Sequence, residues 1–381
     1  MTFPHTLIRW DADALTQWAH ETPTSADGPA ARVVLGGPLV AAHNVGTIIP
    51  TWAAVTPPGS WVEVQVRVCL GAADGQVFRI AAWDSAASAS RRTSFAAQHG
   101  PAGHLSTDTL LLSRPAETLQ ARVLLCAEPG AALPTIESLA LCLTAQAAEA
   151  RPSAVSCQLS AVSCQPSADS RQPTAVSSQL SADSRQPSAL RLPLLLSQYL
   201  SFPKYGHLWC SPTSLAMVLA YWHERTGDAH LAPFLAPESV SATVAPMVYD
   251  PGWGGTGNWA FNTAFAGALG LTAYVSRMHS LAQLARWTNA GVPVPLSMRW
   301  EPGELDGAAG RSAGHITVVT GFVGDRVLMA EPAARDLATI VRSYRADQLY
   351  ACWQRASEGV VYLIHPQGWP TPKPGDGDAW D

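Results

Sequence analysis

Hydrophobic and polar positions along the 381-residue chain change their period near its middle. In the first part they alternate. Trp61-Val-Glu-Val-Gln-Val-Arg-Val68 keeps a strict period of two, and parts of Val77 to Trp83 repeat it. Thr109-Leu-Leu-Leu-Ser113, Leu119 to Cys126 and Ile136 to Leu143 add further strand-like runs, spaced by Pro, Gly and Asp turns. Alternation places one face of each strand in a core, and the spacing predicts an antiparallel β-sandwich. After residue 190 the period lengthens. Leu215, Val218, Leu219 and Trp222 recur at i, i+3, i+4 and i+7, the spacing of one buried helical face. Trp259 to Ala268 and Leu281 to Asn289 also read as helices, while Val294 to Met298, the segment around His315 and Gly359 to Ile364 read as strands. The expected fold class is therefore α+β, with an N-terminal β-sandwich and a mixed C-terminal domain.

Between the two halves the pattern fails altogether. Pro152-Ser-Ala-Val-Ser-Cys-Gln158 opens five seven-residue units that end at Gln186, dominated by Ser, Pro and Ala. One apolar side chain per unit cannot offset the ordering entropy, so a disordered linker is expected rather than a coiled coil. The expected division is a sandwich over 1–150, a linker over 151–190, a second domain over 191–368 and a flexible tail over 369–381.

Composition narrows the partners. A net charge of −5 and 14% charged residues leave no basic cluster to neutralise phosphates, which argues against a nucleic-acid partner. The paired Arg91-Arg92 is too small a cluster to change that. The longest apolar runs are too short for a bilayer, so no membrane segment is expected. The N-terminus shows no charged region followed by an apolar one, so a cytoplasmic location is expected, or a secreted one if the start codon is mis-assigned. Seven cysteines, odd in number and scattered, fit a reduced compartment. None has metal-ligand spacing with His support, so neither a metal nor a cofactor is expected. Trp52, Trp61 and Trp83 in the sandwich admit two readings, a ligand-binding face or core packing, with the core favoured.

The chemistry-bearing stretch is Cys210-Ser-Pro-Thr-Ser-Leu-Ala-Met-Val-Leu-Ala-Tyr-Trp222. Pro212 near the first helical position, with Ser211 or Thr213 as hydroxyl caps, fits a helix N-terminus that starts at the thiol. The positive end of a helix dipole favours thiolate, and such thiols fall from about 8.5 to roughly 4–7. Cys210 is thus a candidate nucleophile; the competing reading is a small buried hydrophobe.

A nucleophilic thiol needs a base. Gly314-His315-Ile-Thr-Val-Val-Thr-Gly-Phe322, a Gly324-Asp325 turn and Arg326-Val-Leu-Met-Ala330 read as a β-hairpin leading into Glu331-Pro332. A three-residue loop, Val323 to Asp325, would pair Phe322 with Arg326 and set Thr317 opposite Glu331. His315 and Glu331 would then share a face as diagonal neighbours. A two-residue loop would slip the register by one and turn Glu331 to the other face. A constellation of thiol, imidazole and acid therefore requires the odd-numbered loop. His207, His223, His230 and His279 have no such context.

These residues resemble a known family. Cys-x-Pro-Thr-Ser-x-x-Met-Val-Leu, then Gly-His-x-x-Val-Val-x-Gly-Phe, then an acid and Pro-Ala are similar to the papain-like cysteine peptidases related to bacteriocin-exporter leader peptidases, in their stand-alone bacterial branch. The likeness spans about 192–366 and includes Gly257-Asn-Trp-Ala-Phe-Asn262 and Gly291-Val-Pro293. It implies a papain-like α+β domain with Cys210 as nucleophile, His315 as base and Gln198 as an oxyanion-hole donor. The third member is usually Asp in an Asn-Asp-Pro sequence. Here Ala330-Glu331-Pro332 stands in that place, one methylene longer. Asn258 and Trp259 are expected to line a substrate cleft beside the Gly254–Gly257 loop. The expected function is hydrolysis of a peptide or amide bond in a peptide or protein substrate. Acyl transfer through the same thioester and an inactive peptide-binding module are the alternatives. Nothing in the sequence fixes an oligomeric state.

Overall fold

The computed structural model describes residues 5–21, 31–42, 44–71, 75–85, 91–146, 189–375 and 377–380. The seven-residue repeats over 152–186, expected to form a disordered linker, lie outside the described residues, as do Cys157 and Cys164.

The first half is an antiparallel sandwich of two six-stranded sheets. One sheet runs His5–Asp11, Thr135–Ala145, Val45–Val55, Thr109–Leu112, Gly103–Ser106 and His99–Gly100 in spatial order. The other runs Ala19–Glu21, Ala31–Ala41, Thr118–Ala127, Ser60–Cys69, Gln76–Trp83 and Thr93–Ser94. The alternation in Trp61–Val68 works as expected: Val62, Val64, Val66 and Val68 are all fully buried. Glu63 and Gln65 between them are buried too, and are satisfied by Arg79 and Arg122 on neighbouring strands. Trp52 and Trp83 fill the core, and Trp61 lies beneath the Arg91 guanidinium at 3.9 Å. The three tryptophans are packing residues and leave no binding face.

The second half wraps helices around a third six-stranded antiparallel sheet, ordered Leu271–Arg277, Val360–Pro366, Val294–Trp300, Ser312–Val323, Arg326–Ala330 and Val341–Arg345. Helix Cys210–Thr226 packs on it and is buried from Ser211 to Trp222, with Leu215, Val218, Leu219 and Trp222 fully buried, and it ends at Gly227 with φ 70°. That left-handed stop is one glycine adopts without strain. Helices Trp259–Ala268 and Leu281–Asn289 hold the expected bounds. The edge strands Leu271–Arg277 and Val341–Arg345 emerge only with the tertiary packing, whereas helix Ala346–Ser357 buries Leu349, Cys352 and Trp353 at helical spacing that the sequence does carry.

The hairpin that carries His315 differs from its expected turn. Val323 pairs with Arg326, Phe322 with Val327 and Gly321 with Leu328, so the loop is two residues, Gly324 and Asp325. Gly324 takes φ 56°, as the first position of a tight hairpin turn requires. The register then shifts at Thr320, a β-bulge, and resumes as Val319 opposite Met329 and Val318 opposite Ala330. One extra residue in the bulge undoes the one-residue slip of the short turn. Without it Glu331 would stand on the opposite face from His315.

The two halves share one continuous hydrophobic core. Phe261 stacks edge-on against Trp83 at 5.2 Å and Trp52 at 6.2 Å, and Gly267 lies so close to Ala53 that an added Cβ would sit 2.5 Å from its methyl. Buried polar contacts cross the same boundary. Arg277 donates to Thr47 at 2.6 Å, and Arg92 donates to the Pro246 carbonyl at 2.7 Å.

The C-terminal tail is also corrected. Trp369 packs edge-on against Trp222 at 4.9 Å, Trp380 against Trp287 at 5.8 Å, and Asp378 pairs with Arg286. Two large aromatic surfaces and an ion pair hold 369–375 and 377–380 on the domain, where a free tail was expected.

Candidate active site

The nucleophile candidate sits where a strand-facing helix begins. Trp209 flanks the helix, Cys210 is its first residue, and no side chain caps the first turn. The expected hydroxyl caps are absent. Ser211 Oγ instead meets the Tyr362 hydroxyl at 3.1 Å, and Ser214 Oγ donates to the Ile316 carbonyl at 3.2 Å. Pro212 has no N–H to satisfy, which lowers the need for a cap.

Cys210 is half-buried, and His315 beside it is 4% exposed. Burial alone would push the thiol up. The hydrogen bond and positive charge of His315, with the Ile316 N–H, outweigh it and hold the thiol below its usual range. His315 Nε2 is 2.6 Å from Glu331 Oε1, which leaves Nδ1 as the nitrogen that can face sulfur. Burial pushes the imidazole down, but the Glu331 charge and the Cys210 hydrogen bond raise it well above the ordinary histidine range. Glu331 responds in the opposite sense: burial pushes it up, and the His315 charge, its hydrogen bond and the Ala333 N–H bring it below the usual carboxylate range. The three groups thus favour thiolate, imidazolium and carboxylate together.

Glu331 reaches its partner despite the extra methylene because its oxygens are held at several points. Oε1 also accepts the Ala333 N–H at 2.8 Å, Oε2 accepts the Tyr344 hydroxyl at 3.2 Å, and its own N–H donates to the Ile340 carbonyl at 2.8 Å. Trp300 stands edge-on to the His315 ring, with centroids 5.4 Å apart and planes at 86°, which shields the imidazole from bulk water. Tyr344 and Trp300 were not singled out from the sequence. Each reaches the site through sheet pairing, Tyr344 opposite Val327 and Trp300 opposite Ser312, and no local spacing signals that.

Gln198 ties the acid side to the thiol side. Its backbone N–H donates to the Pro332 carbonyl at 2.7 Å, next to Glu331. Its Nε2 donates to the Gly206 carbonyl at 2.5 Å, four residues before Cys210. A Cβ on Gly206 would lie 2.0 Å from the Gln198 carbonyl oxygen, so only glycine allows that approach. One of the two amide hydrogens remains free of the Gly206 contact.

Asn258 requires a correction. It is 1% exposed, its Oδ1 accepts the Phe261 N–H at 3.1 Å and its Nδ2 donates to Asp250 at 2.8 Å. The side chain is a helix cap with its polar atoms engaged inside the fold, not a cleft residue. Trp259 is half-buried against the core, and its N–H is held by Asp108 of the sandwich at 2.6 Å. Asn258 caps a helix start at the domain boundary, where a cleft-lining residue was expected, and the half-buried Trp259 follows as the first residue of that helix.

Two family models match the chain, the Peptidase C39 N-terminal domain over residues 33–144 and the Peptidase C39 like family over 195–361. A C39-like peptidase domain follows a C39 N-terminal domain. In the C39 half the matched span contains Gln198, Cys210, His315 and Glu331. No curated protein sequence matches the chain. Among solved structures, a double-glycine-motif protease from an AMS/PCAT transporter, crystallised with the leader peptide, is 18% identical. That match covers 48% of this chain and 96% of the other, with a TM-score of 0.28. A C39-like peptidase described from Bacillus anthracis is 15% identical over 46% and 97% of the two chains, with a TM-score of 0.31. No helix among the described residues is long and apolar enough to cross a membrane.

Proposed function

We propose that this C39-like chain is a cysteine peptidase or amidase that works through an acyl-thioester on Cys210. The observation that carries the reading is the buried chain from the half-open Cys210 thiol through His315 to Glu331. In the first step the Cys210 thiolate attacks the scissile carbonyl carbon and its oxygen takes up the negative charge. The second amide hydrogen of Gln198 and the Cys210 backbone N–H are the donors assigned to that oxygen. Losing one such donor typically costs about 10²–10³ in rate. Collapse of the tetrahedral species breaks the C–N bond, and His315 gives its proton to the departing amine. His315, now neutral, then takes a proton from the water that attacks the thioester; the C–S bond breaks, Cys210 leaves as thiolate, and the starting ion pair is restored. Glu331 keeps the imidazole in one orientation and stabilises its charged form throughout, while remaining ionised itself.

Incubating the purified chain with a peptide library and sequencing the products by mass spectrometry tests the proposal. Cleavage is expected with the native chain and none with Cys210→Ala, at an unchanged circular dichroism spectrum. Cleavage by Cys210→Ala at the native rate would remove it.

A further inference from the structure

The N-terminal sandwich carries one buried carboxylate directed at the other domain. Asp108, in the tight turn between Gly103–Ser106 and Thr109–Leu112, is 6% exposed. Its Oδ2 accepts the Trp259 N–H at 2.6 Å and its Oδ1 accepts the Thr109 hydroxyl at 3.2 Å. Burying a carboxylate costs several kcal/mol unless its partners are well placed. Here burial pushes the group up to about 6, against the pull of the Trp259 N–H. The sandwich also meets this region through the Ser94 N–H, which donates to Asp250 Oδ1 at 2.8 Å while Asp250 Oδ2 accepts from Asn258; Asp108 is the side chain that reaches the first residue of the helix itself.

One route leads from Asp108 to the residues just ahead of Cys210. It starts at the Trp259 N–H. The neighbouring turn is knitted by Asn262, whose amide donates to the carbonyls of Thr256 at 2.9 Å and Asn258 at 2.8 Å. Thr256 Oγ1 then donates to the Leu208 carbonyl at 2.7 Å, two residues before the thiol.

We propose that Asp108 is a positioning residue for Cys210: the sandwich, through this acceptor, fixes the helix start at Trp259 and with it the backbone at Leu208. The inference rests on the reading of Cys210 as nucleophile. It makes the N-terminal domain a working part of the active site, in place of a separate recognition module.

The test is the pH dependence of iodoacetamide alkylation at Cys210 in the full chain, followed by mass spectrometry of the Cys210 peptide. Asp108→Ala removes the acceptor and is expected to raise the titration midpoint by about one unit. A one-unit rise makes the thiolate fraction at pH 6 about tenfold smaller. Asp108→Asn keeps an acceptor oxygen and is expected to restore the native profile. Arg92→Met loosens the domain boundary elsewhere, at the Pro246 carbonyl, and is expected to lower thermal stability with the midpoint unmoved. An unchanged midpoint in Asp108→Ala, equal shifts in the Ala and Asn variants, or an equal shift in Arg92→Met would each overturn the proposal. If Asp108→Ala does not fold, Thr256→Val interrupts the route inside the second domain. An upward shift is expected, and native titration overturns the inference. A native chain whose Cys210 titrates as an ordinary thiol would instead fail the nucleophile reading itself, so the two failures are distinct.

Discussion

His315→Ala is expected to lower peptide cleavage by about 10⁴-fold or more, the scale on which loss of a triad base is felt. The direction follows from the forces on Cys210. Burial pushes the thiol up, and the His315 hydrogen bond and charge are the largest forces pulling it down. With the imidazole gone, burial is opposed by the Ile316 N–H and the helix N-terminus alone, so the thiol should titrate higher than in the native chain. Glu331 would remain 2% exposed without the cation that stabilises it, and its carboxyl should rise as well. The linkage to stability runs in two directions. His315 is raised when folded, so its contribution is complete below the unfolded value near 6.5 and fades as pH climbs through the higher folded value. Glu331 is lowered when folded, so its contribution is complete above about 4.5 and fades as pH falls. Removing His315 should therefore flatten the acid side of the stability curve. Cleavage within tenfold of the native rate would show that another group takes the proton.

The second large effect is expected at the domain boundary. Phe261 is fully buried and meets Trp52 and Trp83 of the sandwich edge-on. Phe261→Ala should cost about 3–5 kcal/mol, the range for deleting a buried aromatic ring. Because the core is continuous across both halves, the loss should move the whole chain's unfolding, with tryptophan fluorescence and far-ultraviolet circular dichroism shifting together. A change below about 1 kcal/mol in urea unfolding would mean that the halves are energetically separate.

What was legible in the sequence tracks how local its cause is. Leu215, Val218, Leu219 and Trp222 are fully buried as their helical spacing predicts. Met217, Ala220 and Tyr221 are buried as well, because the helix is enclosed by neighbouring helical segments in addition to the sheet, which spacing alone does not reveal. The first turn could not be read. Ser211 and Thr213 have the chemistry of caps, but Ser211 is committed to Tyr362, a partner 151 residues away. The hairpin shows a subtler case. His315 and Glu331 do meet, yet by a two-residue turn and a bulge at Thr320 instead of the three-residue loop that spacing suggested. A bulge leaves little mark in a β-branched run, so the net register was readable and its cause was not. Asn258 carried a signal that pointed to its real role, an Asn three residues ahead of Phe261 at a helix start, and the glycine-rich loop before it obscured that. The docking of the sandwich, with Asp108 on Trp259 and Arg277 on Thr47, depends on pairs more than 150 residues apart that no local pattern encodes.

The most direct measurement is the alkylation rate of Cys210 in the native full-length chain from pH 4 to 10, read at that residue by mass spectrometry beside a buried structural thiol such as Cys352. A midpoint at Cys210 clearly below 8.5, displaced upward in His315→Ala, is the expected result. A Cys210 that reacts only as an ordinary thiol, with the same midpoint whether or not the imidazole is present, would contradict an activated nucleophile at this site.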